Sequence, residues 1–536
     1  MFVENLKNDF YNVLLGSRVL LLVHYDVDAI CTCKILQGLF KCDNISYTLV
    51  PVGGISELKQ AYDENNDEIK YVCLVNCGGT IDLVDILQPE EDVVFFVLDC
   101  HKPSHICNVY SEGQVRMVYK DEEEKIPDFE DIFRDDEDED EEEPSEGGRE
   151  ALEAMVERRR ARRAWEERRD TLMFNYTQFS YFGKPSALVA LDVCWLVSRL
   201  GLGAGWAAAV AGAAHEAWAA RGAAASLLDA GNILRANTHT DHAAEIVLEQ
   251  DVCLPLYRSW SLEAALRHSP AVGPHLQLHS LAGAARLRQL LADMGFPLQQ
   301  ARQSYRSMDV ELRRGLLEAL ERAAGERRLR GVTRASHALR RPPAPPRPAL
   351  DLVYAVGALL HHETIPRSEG FQLALSALEI EGDNESLRIG IAAAQRSLEC
   401  VARLVNATLA ARALHLAGPF TYFIVHEGTP DAWAVSSPLW LGWRRAGAAA
   451  ANASVPPPQC RALVASAPLP GPGPRCLLLG LPPRAQQPAN LFGAAFSQAA
   501  AKSGVSVSMD YIDSSVISLP TAQRAQFLDA LTALMG

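Results

Sequence analysis

Arg18-Val-Leu-Leu-Leu-Val-His24, running on into Tyr25-Asp26-Val27-Asp28-Ala29-Ile30, is the stretch that decides the fold. Its first half is an unbroken apolar run, as expected of a strand buried on both faces. Its second half places two carboxylates at a turn. Apolar residues at helical spacing follow: Ile30, Ile35, Leu36, Leu39 and Phe40. The same alternation recurs downstream. Ile45–Val50, Tyr71–Val75 and Val93–Leu98 read as further strands, and a helix begins at Ile55. Strands separated by helical segments predict an α/β fold with a mainly parallel, doubly wound sheet. In such a sheet the chemistry sits at the carboxyl ends of the strands.

The rest of the chain sets the frame. At 536 residues it has room for about three domains. No apolar run reaches the roughly 20 residues of a membrane helix. The longest, Leu200–Ala214, is short, and His215 follows it. The opening MFVENLKNDF is not a basic-then-apolar leader, so the expectation is a soluble intracellular chain with no membrane partner. Twelve cysteines occur without a CxxC pair, which argues for reduced thiols over a zinc ribbon or a thioredoxin motif. The net charge of −16 is local: residues 121–146 hold 17 acids and two bases, a balance of −15. This acidic insertion, about 121–148, is expected not to pack. A basic stretch, 149–170, follows with the Glu/Arg alternation of an exposed helix, and Arg158–Arg163 also fits a nuclear-import signal. Residues 184–230 and 260–330 read as helical. Arg340-Arg-Pro-Pro-Ala-Pro-Pro-Arg-Pro348 reads as a stiff connector. Strands are expected near Phe420–Val425, Cys476–Leu479 and Val505–Tyr511, with a last helix from about Thr521 to Leu534.

Three strand ends carry candidate chemistry. His24, Asp26 and Asp28 follow the first strand, Asn76 follows the third, and Asp99-Cys100-His101 follows the fourth. Carboxylates and imidazoles there can hold a hard divalent cation such as Mn²⁺ or Mg²⁺. The plain alternative is that Asp26 and Asp28 cap the helix. Their arrangement at successive strand ends favours one shared crevice. His239-Thr-Asp241-His242 and His361-His362-Glu363 are weaker ligand candidates. Gly201–Gly205 lacks the Gly-Lys-Ser/Thr ending of a phosphate-binding loop. Arginines 327, 328, 330, 334, 340 and 341 offer phosphate contacts without aromatic interleaving.

These strand-end motifs resemble the DHH phosphoesterase superfamily, which includes the RecJ exonucleases. The stretches Asp28–Leu36, Tyr47–Val52, Asp85–Pro89, Glu130–Asp135, Leu291–Pro297, Glu427–Asp431 and Phe527–Leu531 resemble more closely the cell division control protein 45 family. The resemblance implies a RecJ-like DHH parallel-sheet domain over 1–222, a helical interaction domain over 223–370, and a smaller mixed α/β C-terminal domain over 371–536. It also exposes departures. Active relatives carry Asp where this chain has His24 and Asn76. They carry Asp-His-His where it has Asp99-Cys100-His101. The fourth-motif Asp has His215 as its counterpart. The implied site is a vestige (His24, Asp26, Asp28, Asn76, Asp99, Cys100, His101 and His215) with no catalytic role, no metal and no cofactor. The physics agrees. Paired cations need bridging carboxylates, and a thiol suits neither Mg²⁺ nor Mn²⁺.

The resemblance further implies a non-catalytic subunit of the replicative DNA helicase in the nucleus. Its partners would be the minichromosome maintenance ATPase ring, the GINS complex, and DNA polymerase and initiation factors. Single-stranded DNA would lie in the old substrate groove, through residues that the sequence does not name. The competing expectation is a working Mn²⁺-dependent single-strand exonuclease or phosphoesterase using His24, Asp26, Asp28, Asp99 and His101.

Overall fold

The structure is a computed structural model. It describes residues 1–134, 149–218, 223–239, 244–269, 272–327, 329, 331–381, 384–436, 461–471, 473–483 and 489–536. The deciding stretch forms β1 (Arg18–His24) and α1 (Val27–Cys42). Next come β2 (Ser46–Val52), α2 (Ile55–Asn65), β3 (Tyr71–Val75), β4 (Val94–Leu98) and β5 (Val115–Met117). The five strands make one sheet in the order β2-β1-β3-β4-β5, parallel throughout. Strand periodicity divides β1 between two cores. Val19, Leu21 and Val23 face one; Leu20 and Leu22 face the other with Leu58 and Tyr62 of α2. The first core also takes apolar residues from α1, α4 (Ser186–Leu196) and α5 (Leu202–Trp218). Both faces are therefore covered, which is why β1 can be apolar without alternation.

Between these elements, the long helix α3 (Arg149–Thr177) follows the acidic segment. Residues 135–148, the second half of the expected insertion, lie outside the described residues. The expectation that the segment does not pack fails for its first part. Glu124 is buried, and it accepts from Lys102 Nζ at 2.8 Å, the Ser104 N–H at 2.6 Å and the Tyr176 hydroxyl at 2.8 Å. A carboxylate with a cationic partner and several donors can leave water; unpartnered ones cannot.

The middle of the chain is not wholly helical. β6 (Glu245–Val252) pairs antiparallel with β7 (Thr333–Arg341), which pairs with β8 (Ala344–Pro348). The proline-rich run expected to be a connector is thus the β7–β8 hairpin. Its prolines sit largely on β8, an edge strand, where a missing N–H costs no ladder bond. Helices between β6 and β7 enclose a separate core that includes Leu262, Leu287, Leu290, Leu316 and Leu320. α6 (Ala349–Leu360) and α7 (Arg367–Ala377) then return to the first core.

After α8 (Glu385–Ala410), a second five-stranded sheet is mixed. It comprises β9 (His415–Ala417), β10 (Phe420–Ile424), β11 (Ala462–Leu469), β12 (Arg475–Leu481) and β13 (Val516–Pro520), in that order. α9 (Phe492–Ser503) and α10 (Arg524–Met535) cover one face, with Phe492, Phe496 and Phe527 in the core between. The strand expected at Val505–Tyr511 is absent. Only Ser508 bridges to Ser518, and the strand itself lies at 516–520. The intervening Asp510 and Asp513 spend their side chains on backbone N–H groups, Ser56 and Ser515, and not on a ladder.

Candidate functional site

The carboxyl edge of the first sheet gathers every strand-end position named from the sequence. Asp26 caps α1, its Oδ1 accepting the Ala29 N–H at 2.8 Å. Asp28, two residues on, does not cap its own helix. Its carboxylate accepts the Ser186 and Ala187 N–H groups at 2.9 and 3.0 Å, and so caps α4 instead. Asn76 follows β3 in the left-handed region (φ 52°), where asparagine is tolerated. Its Nδ2 donates to Asp28 at 3.0 Å and to both Asp26 oxygens at 3.2 and 3.3 Å. Its Oδ1 accepts the Ser186 hydroxyl at 2.6 Å and the Cys100 N–H at 3.4 Å.

A second cluster closes the crevice. Asp99 accepts from Gly79 N–H at 2.8 Å, His101 N–H at 2.9 Å and the His101 ring Nδ1 at 2.7 Å. A Cβ on Gly79 would stand 2.8 Å from the Asp99 Cβ, so this approach requires glycine. His24 turns its Nδ1 to the Val52 carbonyl at 3.2 Å, and its ring lies edge-on 6.4 Å from that of His101. His215, on α5, reaches Asp28 Oδ2 at 3.5 Å through Nε2.

The electrostatics follow from burial and these partners. Burial and the neighbouring Asp28 charge push Asp26 up to about 6. Burial works in the same direction on Asp28, but His215, Asn76 and the Ala187 N–H outweigh it and hold its carboxyl below the usual range. Burial opposes charge on His101 too, yet the Asp99 carboxylate lifts it to about 9. Burial, with the His101 charge beside it, lowers His24 to about 4, so it is a neutral ring. Burial raises the Cys100 thiol well above its ordinary value.

The donor set does not fit a pair of hard cations. Such a pair needs free, bridging carboxylate oxygens. Here the Asn76 amide stands between Asp26 and Asp28, where it supplies the positive partner that a cation would give. The Asp28 and Asp99 oxygens already accept from named N–H groups.

Several contributors escaped the sequence reading. The Ser186 hydroxyl and the α4 N-terminus are the main ones; Pro185-Ser186, a helix-start pair, was the available signal. Arg367 lies 4.3 Å over the Tyr25 ring and pairs with Glu57 at 3.2 Å. His361, a weak ligand candidate, is half-buried near Arg367 and His24, and loss of solvation lowers it to about 3. Asp241 and His242 lie outside the described residues, as do Arg328 and Arg330. The described arginines of that group have protein partners: Arg327 with Asp293, Arg334 with Glu216 at 3.3 Å, Arg340 with Glu249, and Arg341 with the Ile380 carbonyl at 3.0 Å.

A doubly wound parallel sheet with carboxylates, histidines and an asparagine at its strand ends defines an α/β protein with a polar crevice at the carboxyl edge of its sheet. A family model, CDC45, matches residues 19–154, 117–369 and 366–534. The chain belongs to the CDC45 family. It is 35% identical to the cell division control protein 45 homolog of Mus musculus and 34% identical to that of Homo sapiens, over 100% of each chain. The crystal structure of CDC45 from Entamoeba histolytica shares the fold, with a TM-score of 0.74 at 18% identity over 99% of both chains. Among the described residues no helix is long and apolar enough to cross a membrane.

Proposed function

We propose that this chain is a non-catalytic DNA-replication factor, a phosphoesterase fold whose cation centre has been replaced by hydrogen bonds. The observation that carries the reading is the Asn76 amide bridging Asp26 and Asp28. Full-length kinship with cell division control protein 45 homologs supports the rest. On this reading the protein acts in the nucleus as a subunit of the replicative helicase. It braces the minichromosome maintenance ATPase ring together with GINS, and meets polymerase and initiation factors there. The ring supplies the ATP hydrolysis. Single-stranded DNA lies in the former substrate groove, held through phosphates.

Reconstitution tests this directly. Mixed with the purified ring and GINS, the chain should co-elute in one complex that unwinds a forked duplex faster than the ring alone. Failure to join, or joining without gain in unwinding, contradicts the role. Strand binding should weaken steeply with salt. Equal affinity for a neutral-backbone analogue contradicts phosphate recognition.

A further inference from the structure

Away from the Asn76 network, three side chains of metal-binding type converge on the loops after β3 and β4. Asp82, His105 and Cys107 offer a carboxylate oxygen, an imidazole nitrogen and a thiol sulfur, all within 4.8 Å of one another. The two loops are held in register independently of this cluster. The His105 N–H donates to the Gly79 carbonyl at 2.7 Å. Asn108 Nδ2 donates to the Gly78 and Ile81 carbonyls at 3.0 and 2.7 Å. Asp82 spends Oδ1 on the Asp85 N–H at 3.1 Å as it opens the short helix Leu83–Leu87. His105 Nδ1 is buried and makes no hydrogen bond. Cys107 is partly exposed, within reach of solvent and solutes.

We propose that Asp82, His105 and Cys107 form a binding site for a zinc-class divalent cation, with water as the fourth ligand. Zinc takes sulfur, imidazole nitrogen and carboxylate oxygen together, at about 2.0–2.3 Å in a tetrahedron. Those bonds place ligand atoms about 3.3–3.8 Å apart, so the cluster closes on the ion with side-chain shifts of about an ångström. Mg²⁺ and Ca²⁺ are excluded by the same set, because a thiol and an imidazole are poor ligands for hard ions. Burial, and then the hydrogen bond to Asp82, push the Cys107 thiol up to about 11. On binding, the thiol gives its proton to solvent and the Cys107–Asp82 hydrogen bond is exchanged for two metal bonds. The ion would clip the loop after β3, which carries Gly79, to the loop after β4, which carries His101. It would thereby brace the rim of the crevice without touching Asp26, Asp28 or Asn76.

The test uses the full chain, reduced and chelator-free, with Co²⁺ as the probe. One equivalent of Co²⁺ should give a thiolate-to-metal absorption band in the near ultraviolet, displaced by Zn²⁺. Cys107→Ser should abolish the band, and His105→Gln should lower affinity by about tenfold or more. Cys100→Ser, in the crevice, should leave the band unchanged. A parent chain with no band overturns the proposal, as does a band that survives Cys107→Ser. Should that variant lose its native circular dichroism, Asp82→Asn decides by equilibrium dialysis. That substitution keeps the helix cap, and unchanged zinc affinity overturns the site.

Discussion

Asn76 shows how one atom changes what a crevice can hold. An aspartate there would bring a third carboxylate against Asp26 and Asp28 and remove the amide that separates them. Asn76→Asp should therefore destabilise the chain by roughly 3–5 kcal/mol in urea melts without divalent ions, the scale of an uncompensated buried charge. Millimolar Mn²⁺ should recover part of the loss, while leaving the parent unchanged. An equal response of both proteins to Mn²⁺ would contradict this account. The residue types were legible in the sequence because parallel sheets bring strand ends together, so Asp26, Asp28, Asn76, Asp99 and His101 could be placed in one crevice. Their partners were not. Whether Asp28 binds an ion or two N–H groups depends on where α4 begins in space, 158 residues away.

At the level of elements, Asp28 has become a helix cap. It holds the first turn of α4 through two N–H groups, with His215 and Asn76 beside it, whereas Asp26 holds one N–H of its own helix. Asp28→Ala should cost more stability than Asp26→Ala by about 1–3 kcal/mol, the penalty for leaving buried donors unmet; equal costs would sink the capping role. Glu124 plays a similar part further out, tying Lys102, Ser104 and Tyr176 of α3 together. Burial works against its charge, but Lys102 leads the partners that hold its carboxyl below the ordinary value. A depressed carboxylate contributes its stability above the unfolded-state value of 4.5 and loses it as pH falls through the lower folded-state value. The urea midpoint of the parent should fall in that acid range, and Glu124→Gln should flatten this dependence while lowering stability at pH 7. An identical acid slope in both would contradict the pairing. Elements with alternating or unbroken apolar runs were legible. The β7–β8 hairpin was not, because prolines mask a strand unless its edge position is known. β11 was missed among the alanines and prolines around it.

Across the whole molecule, the C-terminal unit meets the first sheet at the start of α2. The Asp510 carbonyl and carboxylate accept the Ile55 and Ser56 N–H groups at 3.1 and 2.6 Å. A Cβ on Gly54 would stand 2.1 Å from the Asp510 carbonyl oxygen. Gly54→Ala should thus speed amide hydrogen exchange in residues 505–515 by about tenfold, with the β1 and β3 amides unaffected. Unchanged exchange at 505–515 would show that the contact is dispensable. This long-range docking left no trace in local sequence pattern, since a glycine and an aspartate 456 residues apart carry no periodicity. The crevice holds its carboxylates through hydrogen bonds from Asn76, Ser186, Ala187 and Gly79, the place where a phosphoesterase would use metal ions. The most direct measurement is hydrolysis of end-labelled single-stranded DNA in Mn²⁺, with Asp28→Asn purified in parallel. Neither protein should cleave the strand. Cleavage by the parent that Asp28→Asn abolishes would contradict this, and would return His24, Asp26, Asp28, Asp99 and His101 to an active metal site.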